Sequence, residues 1–194
     1  MSRVARVSRK TRETDVTLDL CLEGEGLASL NTGIGFLDHL FAALARHARV
    51  DLELACRGDL HVDDHHTCED CALALGAAID EALGNREGIA RFGWAFAPMD
   101  EALSRAVVDF SGRPFARVQL GLRRDAIGGL AAENVTHALT SLAVAGRMAL
   151  HVDVIEGAND HHRAEAAFKA VGLALRQAEA LDGSTGIPST KGIL

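Results

Sequence analysis

Two copies of one short pattern hold most of the reactive side chains of this sequence: Asp64-His65-His66-Thr67-Cys68-Glu69 and Asp160-His161-His162-Arg163-Ala164-Glu165. On a helix, residues three and four apart are neighbours, so each glutamate can reach the imidazoles ahead of it. Adjacent histidines point about 100° apart at 3.6 residues per turn, so the two rings of a pair cannot easily grip one ion. His39 in GFLDHLFAAL and His137 in ENVTHALTSL precede the two copies. If the members of each pair serve different ions, six histidines and two glutamates suffice for two centres of three imidazoles and one carboxylate. Imidazole and carboxylate without thiolate suit Mn²⁺, Fe²⁺ or Zn²⁺, and four protein ligands on a six-coordinate ion leave positions for substrate. A single His-His pair would read as no more than a polar helix start, and the duplication is what makes metal binding the better reading.

Other reactive groups are weaker signals. Cys68-Glu69-Asp70-Cys71 has the C-x-x-C spacing of a redox pair or half a zinc site, but no second C-x-x-C follows and Cys68 falls on an apolar helical stripe, so a buried structural thiol is expected. No H-E-x-x-H, P-loop or G-x-S-x-G occurs. Arg91, Arg113, Lys169 and Lys191 each read as ordinary surface charges when taken singly. Ser189-Thr190-Lys191-Gly192 says more, because hydroxyls, an ammonium and a close backbone approach suit a phosphate.

The elements that must position these groups also repeat. From position 65 to 161 the motif shifts by 96 residues, and from His39 to His137 the shift is 98, about half of the 194-residue chain. In the first half, Val16, Leu18, Leu20 and Leu22 alternate with polar or small residues, as do Val50, Leu52 and Leu54, giving two half-buried strands. Between them Phe36, Leu37, Leu40, Phe41 and Leu44 form one face of a helix, and a second helix runs on Cys68, Ala72, Leu75, Ile79 and Leu83. The second half repeats the order with strands near 106–109 and 116–122, a helix near 131–147, a strand near 148–155 and a helix over 161–181. The expectation is an α+β protein of two ββαβα half-domains, 1–90 and 91–194, with helices packed between two mostly antiparallel sheets. The tail DGSTGIPSTKGIL reads as loop.

Composition limits the partners. Hydrophobic residues make up 48%, enough for a packed core, and no apolar run approaches the roughly 20 residues of a membrane span. The start carries basic residues without an apolar segment behind them, so a cytoplasmic protein is expected. A net charge of -7 argues against nucleic acid as a partner. Four unevenly spaced cysteines do not make a disulfide scaffold and should be reduced thiols.

Six ordered blocks then carry a family resemblance: TGIGFLDHL (32–40), GDLHVDDHHTCED (58–70), PMDEAL (98–103), DFSGRPF (109–115), HHRAEAAFKA (161–170) and PSTKG (188–192), with TRETDV near the start. Together they resemble the imidazoleglycerol-phosphate dehydratase family in its monofunctional form. The resemblance implies a hydro-lyase of histidine biosynthesis that converts imidazoleglycerol phosphate to imidazole acetol phosphate and water, using two Mn²⁺ ions. It places His39, His66, Glu69 and His161 on one ion, and His65, His137, His162 and Glu165 on the other. It assigns substrate contacts to Glu13, Arg91, Arg113, Lys169, Ser189, Thr190 and Lys191, and catalytic roles to Glu13, His65, Glu69, His161 and Glu165. It further implies a duplicated fold resembling ribosomal protein S5 domain 2, and a homo-oligomeric 24-subunit shell of trimers with metal centres at subunit contacts.

The chemistry of such a dehydration explains why two ions would be wanted. The proton to be removed sits on a carbon attached to imidazole, with no carbonyl beside it, so an electron sink is required. With both ring nitrogens on metal, the ring can act as an imidazolate, expel the neighbouring hydroxyl and pass through a diazafulvene-like intermediate. Metal–nitrogen bonds of about 2.0–2.2 Å would set the ions roughly 6 Å apart. Glu13 is the candidate for proton transfer. A dinuclear phosphohydrolase and a non-catalytic metal-storage shell would use the same ligand types, and the substrate-contact blocks argue against both.

Overall fold

The structure, a computed structural model, describes residues 2–194. In the first half, β1 (Val4–Lys10) and β2 (Thr14–Cys21) form a hairpin, followed by β3 (Ala28–Asn31), α1 (Gly35–Ala48), β4 (Asp51–Gly58) and α2 (His65–Leu83). The second half runs β5 (Phe92–Met99), β6 (Ala102–Asp109), β7 (Phe115–Gln119), the short pair β8 (Ala126–Ile127) and β9 (Leu130–Ala131), then α3 (Ala132–Ala145), β10 (Ala149–Glu156) and α4 (Asp160–Ala178). Two four-stranded sheets result, ordered β1-β2-β4-β3 and β5-β6-β10-β7. Corresponding neighbours pair alike: the first three strands of each sheet are antiparallel, and the last joins in parallel. The expected duplicated α+β architecture is therefore present, with one strand more in each four-stranded sheet than the ββαβα pattern gave, a mixed edge, and the extra pair β8–β9 in the second half.

Periodicity explains the core. Val16, Leu18 and Leu20 of β2 and Leu52 and Leu54 of β4 turn inward, each at most 3% exposed, as a period of two requires. The apolar stripe of α1 buries Phe36, Leu37, Leu40, Phe41 and Leu44. The halves meet helix against helix, α1 on α4 and α2 on α3, so the helices lie between the two sheets. Both contacts are close because each has a glycine where a side chain would collide. A Cβ on Gly76 of α2 would come within 2.4 Å of the Leu142 carbonyl of α3, and one on Gly172 of α4 within 2.6 Å of the Leu44 carbonyl of α1. Gly76 and Gly172 are themselves 96 positions apart, so the internal repeat extends to the helix crossings.

The outer faces of the two sheets differ. On the first sheet, Arg6 pairs with Asp19 and Lys10 with Asp15 in solvent. On the second, β5 points Gly93, Ala95 and Ala97 inward, where α4 lies against it, and Phe92, Trp94 and Phe96 outward, with Trp94 62% exposed.

Candidate metal centres and substrate-facing residues

Helices α2 and α4 start at or one residue before the paired histidines, at His65 and Asp160. Asn159 caps α4 by accepting from the His161 backbone N–H. Asp160 is 3% exposed and accepts from the backbone N–H groups of Arg123 and Arg124 at 2.7 Å. Asp64, its counterpart, accepts from Ala131 N–H at 2.6 Å, tying the start of α3 to the start of α2.

From these anchored ends two clusters form across the helix–helix contacts. In the first, Glu165 of α4 lies 3.2 Å from His161 Nε2 on its own helix and 2.9 Å from His39 Nε2 on α1. In the second, Glu69 of α2 lies 3.2 Å from His137 Nε2 on α3 and 4.0 Å from His65 Nε2. Each cluster combines residues from both halves. Within the chain the histidine pairs His39–His161 and His65–His137 come together as the implied ligand sets have them, while Glu165 lies beside the first pair and Glu69 beside the second. Glu165 neighbours both rings of its pair, and Lys169, four residues beyond Glu165 and seven beyond His162, continues the same face.

His66 and His162 occupy equivalent outward positions. Asp59 receives a hydrogen bond from His66 Nδ1 at 3.0 Å, and Glu101 one from His162 Nδ1 at 2.7 Å. These bonds raise the pKa of both imidazoles above the ordinary value. Glu101, bonded first to His162 and then to backbone N–H groups, is held down at about 2. The Nε2 atoms face the two hairpin turns: His66 Nε2 is 3.9 Å from Glu13 and His162 Nε2 is 3.8 Å from Asp100. The Glu13 turn is fixed by Thr11, whose hydroxyl accepts from the Glu13 and Thr14 backbone N–H groups. Thr14 in turn donates its hydroxyl to Asp70 of α2, which also pairs with Arg9. Asp59, Glu101 and Asn134, which bonds His65, were not singled out from sequence. Asp59 and Glu101 lie within motif blocks already quoted, but nothing in their spacing marks them as partners of an imidazole.

Both clusters fit a divalent ion. Donors about 2.0–2.2 Å from a common ion lie roughly 3–4.4 Å apart. One ligand atom from each member of a cluster falls within 4.8 Å of the others. Burial raises the Glu165 carboxyl, but the Lys169 and His39 contacts outweigh it and bring the group down to about 2, so Glu165 is an anion ready to ligate.

The remaining site residues gather elsewhere. Lys169 Nζ bonds Glu165 at 2.6 Å, at the edge of the first cluster. Arg91 holds Asp109 through two nitrogens and donates to the Pro188 carbonyl at 2.8 Å, so it anchors the tail carrying Ser189, Thr190 and Lys191. Arg113 folds back on the Ser111 carbonyl beside Gly112, against which Leu194 packs. Arg91, Arg113 and the tail thus form one basic group with phosphate-binding residue types. Among the described residues no hydrogen bond or ion pair joins this group to either cluster within the chain.

A duplicated α+β protein whose two halves jointly build a pair of imidazole–carboxylate clusters belongs to the class of folds suited to holding divalent metal ions. Its family is also defined: residues 32–175 match the profile of imidazoleglycerol-phosphate dehydratase, and the chain belongs to this family. A Phytophthora nicotianae protein of that name is 56% identical over 99% of this chain, which spans 42% of it. The imidazoleglycerol-phosphate dehydratase of Candida glabrata is 51% identical over 98% of this chain and 100% of its own length. Among solved structures, that of the Pyrococcus furiosus enzyme superposes with a TM-score of 0.83 at 36% identity, covering 97% of this chain and all of its own. The Staphylococcus aureus enzyme gives the same score at 30% identity, covering 92% of this chain and 99% of its own.

Proposed function

We propose that this chain is a hydro-lyase that dehydrates imidazoleglycerol phosphate to imidazole acetol phosphate in histidine biosynthesis. The observation that carries the reading is the pair of clusters, each a carboxylate and two imidazoles drawn from both halves of the fold. Two Mn²⁺ ions suit these donors and would supply Lewis acidity to the substrate's imidazole. His39, His66, Glu69 and His161 would hold one ion and His65, His137, His162 and Glu165 the other, a reading supported by the His39–His161 and His65–His137 pairs that the chain brings together. Arg91, Arg113, Lys169 and the Ser189–Thr190–Lys191 tail bind the phosphate and fix the substrate's reach. Glu13, held at its turn beside His66, moves the proton.

Homo-oligomerisation belongs to the same reading. His66 and His162 have Nδ1 occupied by carboxylates and Nε2 left for ligation beside the Glu13 and Asp100 turns, the form in which an imidazole can ligate an ion shared with another subunit. The aromatic outer face of the second sheet offers a further apolar surface to a second copy of the chain, and a 24-subunit shell of trimers is the expected assembly. No helix among the described residues is long and apolar enough to cross a membrane, and the cytoplasm is the proposed compartment.

Incubation of purified, Mn²⁺-loaded protein with imidazoleglycerol phosphate tests the reading. Imidazole acetol phosphate should accumulate with the phosphate ester intact. Release of inorganic phosphate would favour a phosphohydrolase, and uptake of metal without turnover a storage protein.

A further inference from the structure

His66 and His162 are related by the internal repeat, and each has its Nδ1 on a carboxylate, but the repeat does not supply the carboxylates. Asp59 is the partner of His66, and 96 positions beyond it stands Ile155. His162 takes its partner from another element: Glu101, in the turn between β5 and β6. The two carboxylates are also engaged differently. Asp59 turns both oxygens to His66 Nδ1, at 3.0 and 3.3 Å, and among the described residues neither oxygen has another hydrogen-bond partner. Glu101 divides its oxygens. Oε1 accepts from the backbone N–H groups of Ala158 and Asn159, at 3.1 and 2.8 Å, and Oε2 accepts from His162 Nδ1 at 2.7 Å.

This division fixes the ring. With Oε1 committed to two N–H donors, Oε2 meets Nδ1 as an acceptor only, so the proton sits on Nδ1 and Nε2 keeps its lone pair. Nε2 is the atom turned toward Asp100, 3.8 Å away, and the atom left to meet an ion. A carboxylate on the far nitrogen orients a ligating imidazole and makes it more basic. Glu101 also ties the β5–β6 turn to the start of α4, because Asn159 caps that helix by accepting from His161 N–H.

We propose that Glu101 is a positioning residue that sets the tautomer of His162, and with it the hold on the ion to which the proposed function assigns His65, His137, His162 and Glu165. The proposal rests on that assignment. Glu101→Gln separates the two roles of the side chain. The amide oxygen stays on the Ala158 and Asn159 N–H groups, since turning it would set an NH₂ against them, and the NH₂ then faces His162 Nδ1. The ring must answer with its proton on Nε2, the form that cannot ligate. Asp59→Asn carries no such commitment and can turn its oxygen to His66.

The test is titration of metal-free protein with Mn²⁺, the free ion being read from its electron paramagnetic resonance signal. The unaltered protein should take up two ions per chain. Glu101→Gln should weaken one of them about ten- to hundredfold, with the melting temperature of the metal-free protein unchanged, whereas Asp59→Asn should bind both nearly as the unaltered protein does. His162→Ala should weaken the same ion, and adding Glu101→Gln to it should weaken that ion no further, a non-additivity that a role confined to the loop would not give. Unaltered affinity in Glu101→Gln, equal losses in Glu101→Gln and Asp59→Asn, or a loss that adds to that of His162→Ala would overturn the proposal while leaving the proposed function standing. Unaltered protein that takes up no Mn²⁺ would overturn both.

Discussion

The roles of individual side chains follow from which atoms they face. Glu13 reaches the site from a turn and lies outside both clusters, so Glu13→Gln should retain metal content and thermal stability while losing most of kcat, about a hundredfold or more for a general acid–base group. Near-normal kcat in that variant would assign the proton transfer to another residue. Lys191 stands in the tail that Arg91 anchors, and Lys191→Ala should raise KM roughly ten- to a hundredfold, from about 1.5–3 kcal/mol for a charge-assisted contact, with metal content unchanged. An unaltered KM would show that Lys191 does not touch the phosphate. At this scale the sequence was legible in type and less so in grouping. Eight ligand candidates could be named from duplicated spacing, but which glutamate joins which histidines depends on how α1 crosses α4 and α2 crosses α3. Asn134 was invisible for a related reason: it acts on a ring 69 positions away.

Among the elements, those with one apolar face were readable and those without were not. The alternation in β2 and β4 and the stripe of α1 give a clear period. By contrast, β1 buries only Ala5 at a sheet edge, and β3 is a four-residue edge strand with no buried residue. Large residues on the outer face of β5 and small ones on the inner reverse the usual pattern, so FGWAFA offers no apolar inner face by which to read a strand. The end of α4 carries a further consequence. Glu179 is 5% exposed, and burial, only partly offset by Arg3, raises its carboxyl from 4.5 to about 8. A raised carboxyl favours the neutral form in the fold, so its contribution to stability is full below about 4.5 and is lost as the pH rises through 8. Glu179→Gln, which keeps the neutral shape, should therefore melt higher than the unaltered protein at pH 9 and no higher at pH 5. A discounted 1–2 kcal/mol corresponds to roughly 2–8 °C at pH 9. Parallel melting curves at both pH values would show that Glu179 ionises without cost.

On the scale of the whole molecule, each cluster takes residues from both halves, so under the proposed function the halves work only together. If His66 and His162 also reach into neighbouring subunits, metal binding is at once site formation and assembly. Chelation should then shrink the particle as well as abolish turnover, which size measurement with and without chelator reads directly; an unchanged particle would place the subunit contacts elsewhere, such as the aromatic face of the second sheet. The fold and family could be read from ordered motif blocks, whereas the order in which subunits meet leaves no periodic trace in one chain. The central claim, that two metal centres made by both halves carry the dehydration, is met most directly by titrating metal-free protein with Mn²⁺ and recording imidazole acetol phosphate formation against bound ion. Turnover should lag behind bound ion and approach its maximum only as the second ion per chain is taken up. Full turnover in metal-free protein, or at one bound ion per chain, would contradict it.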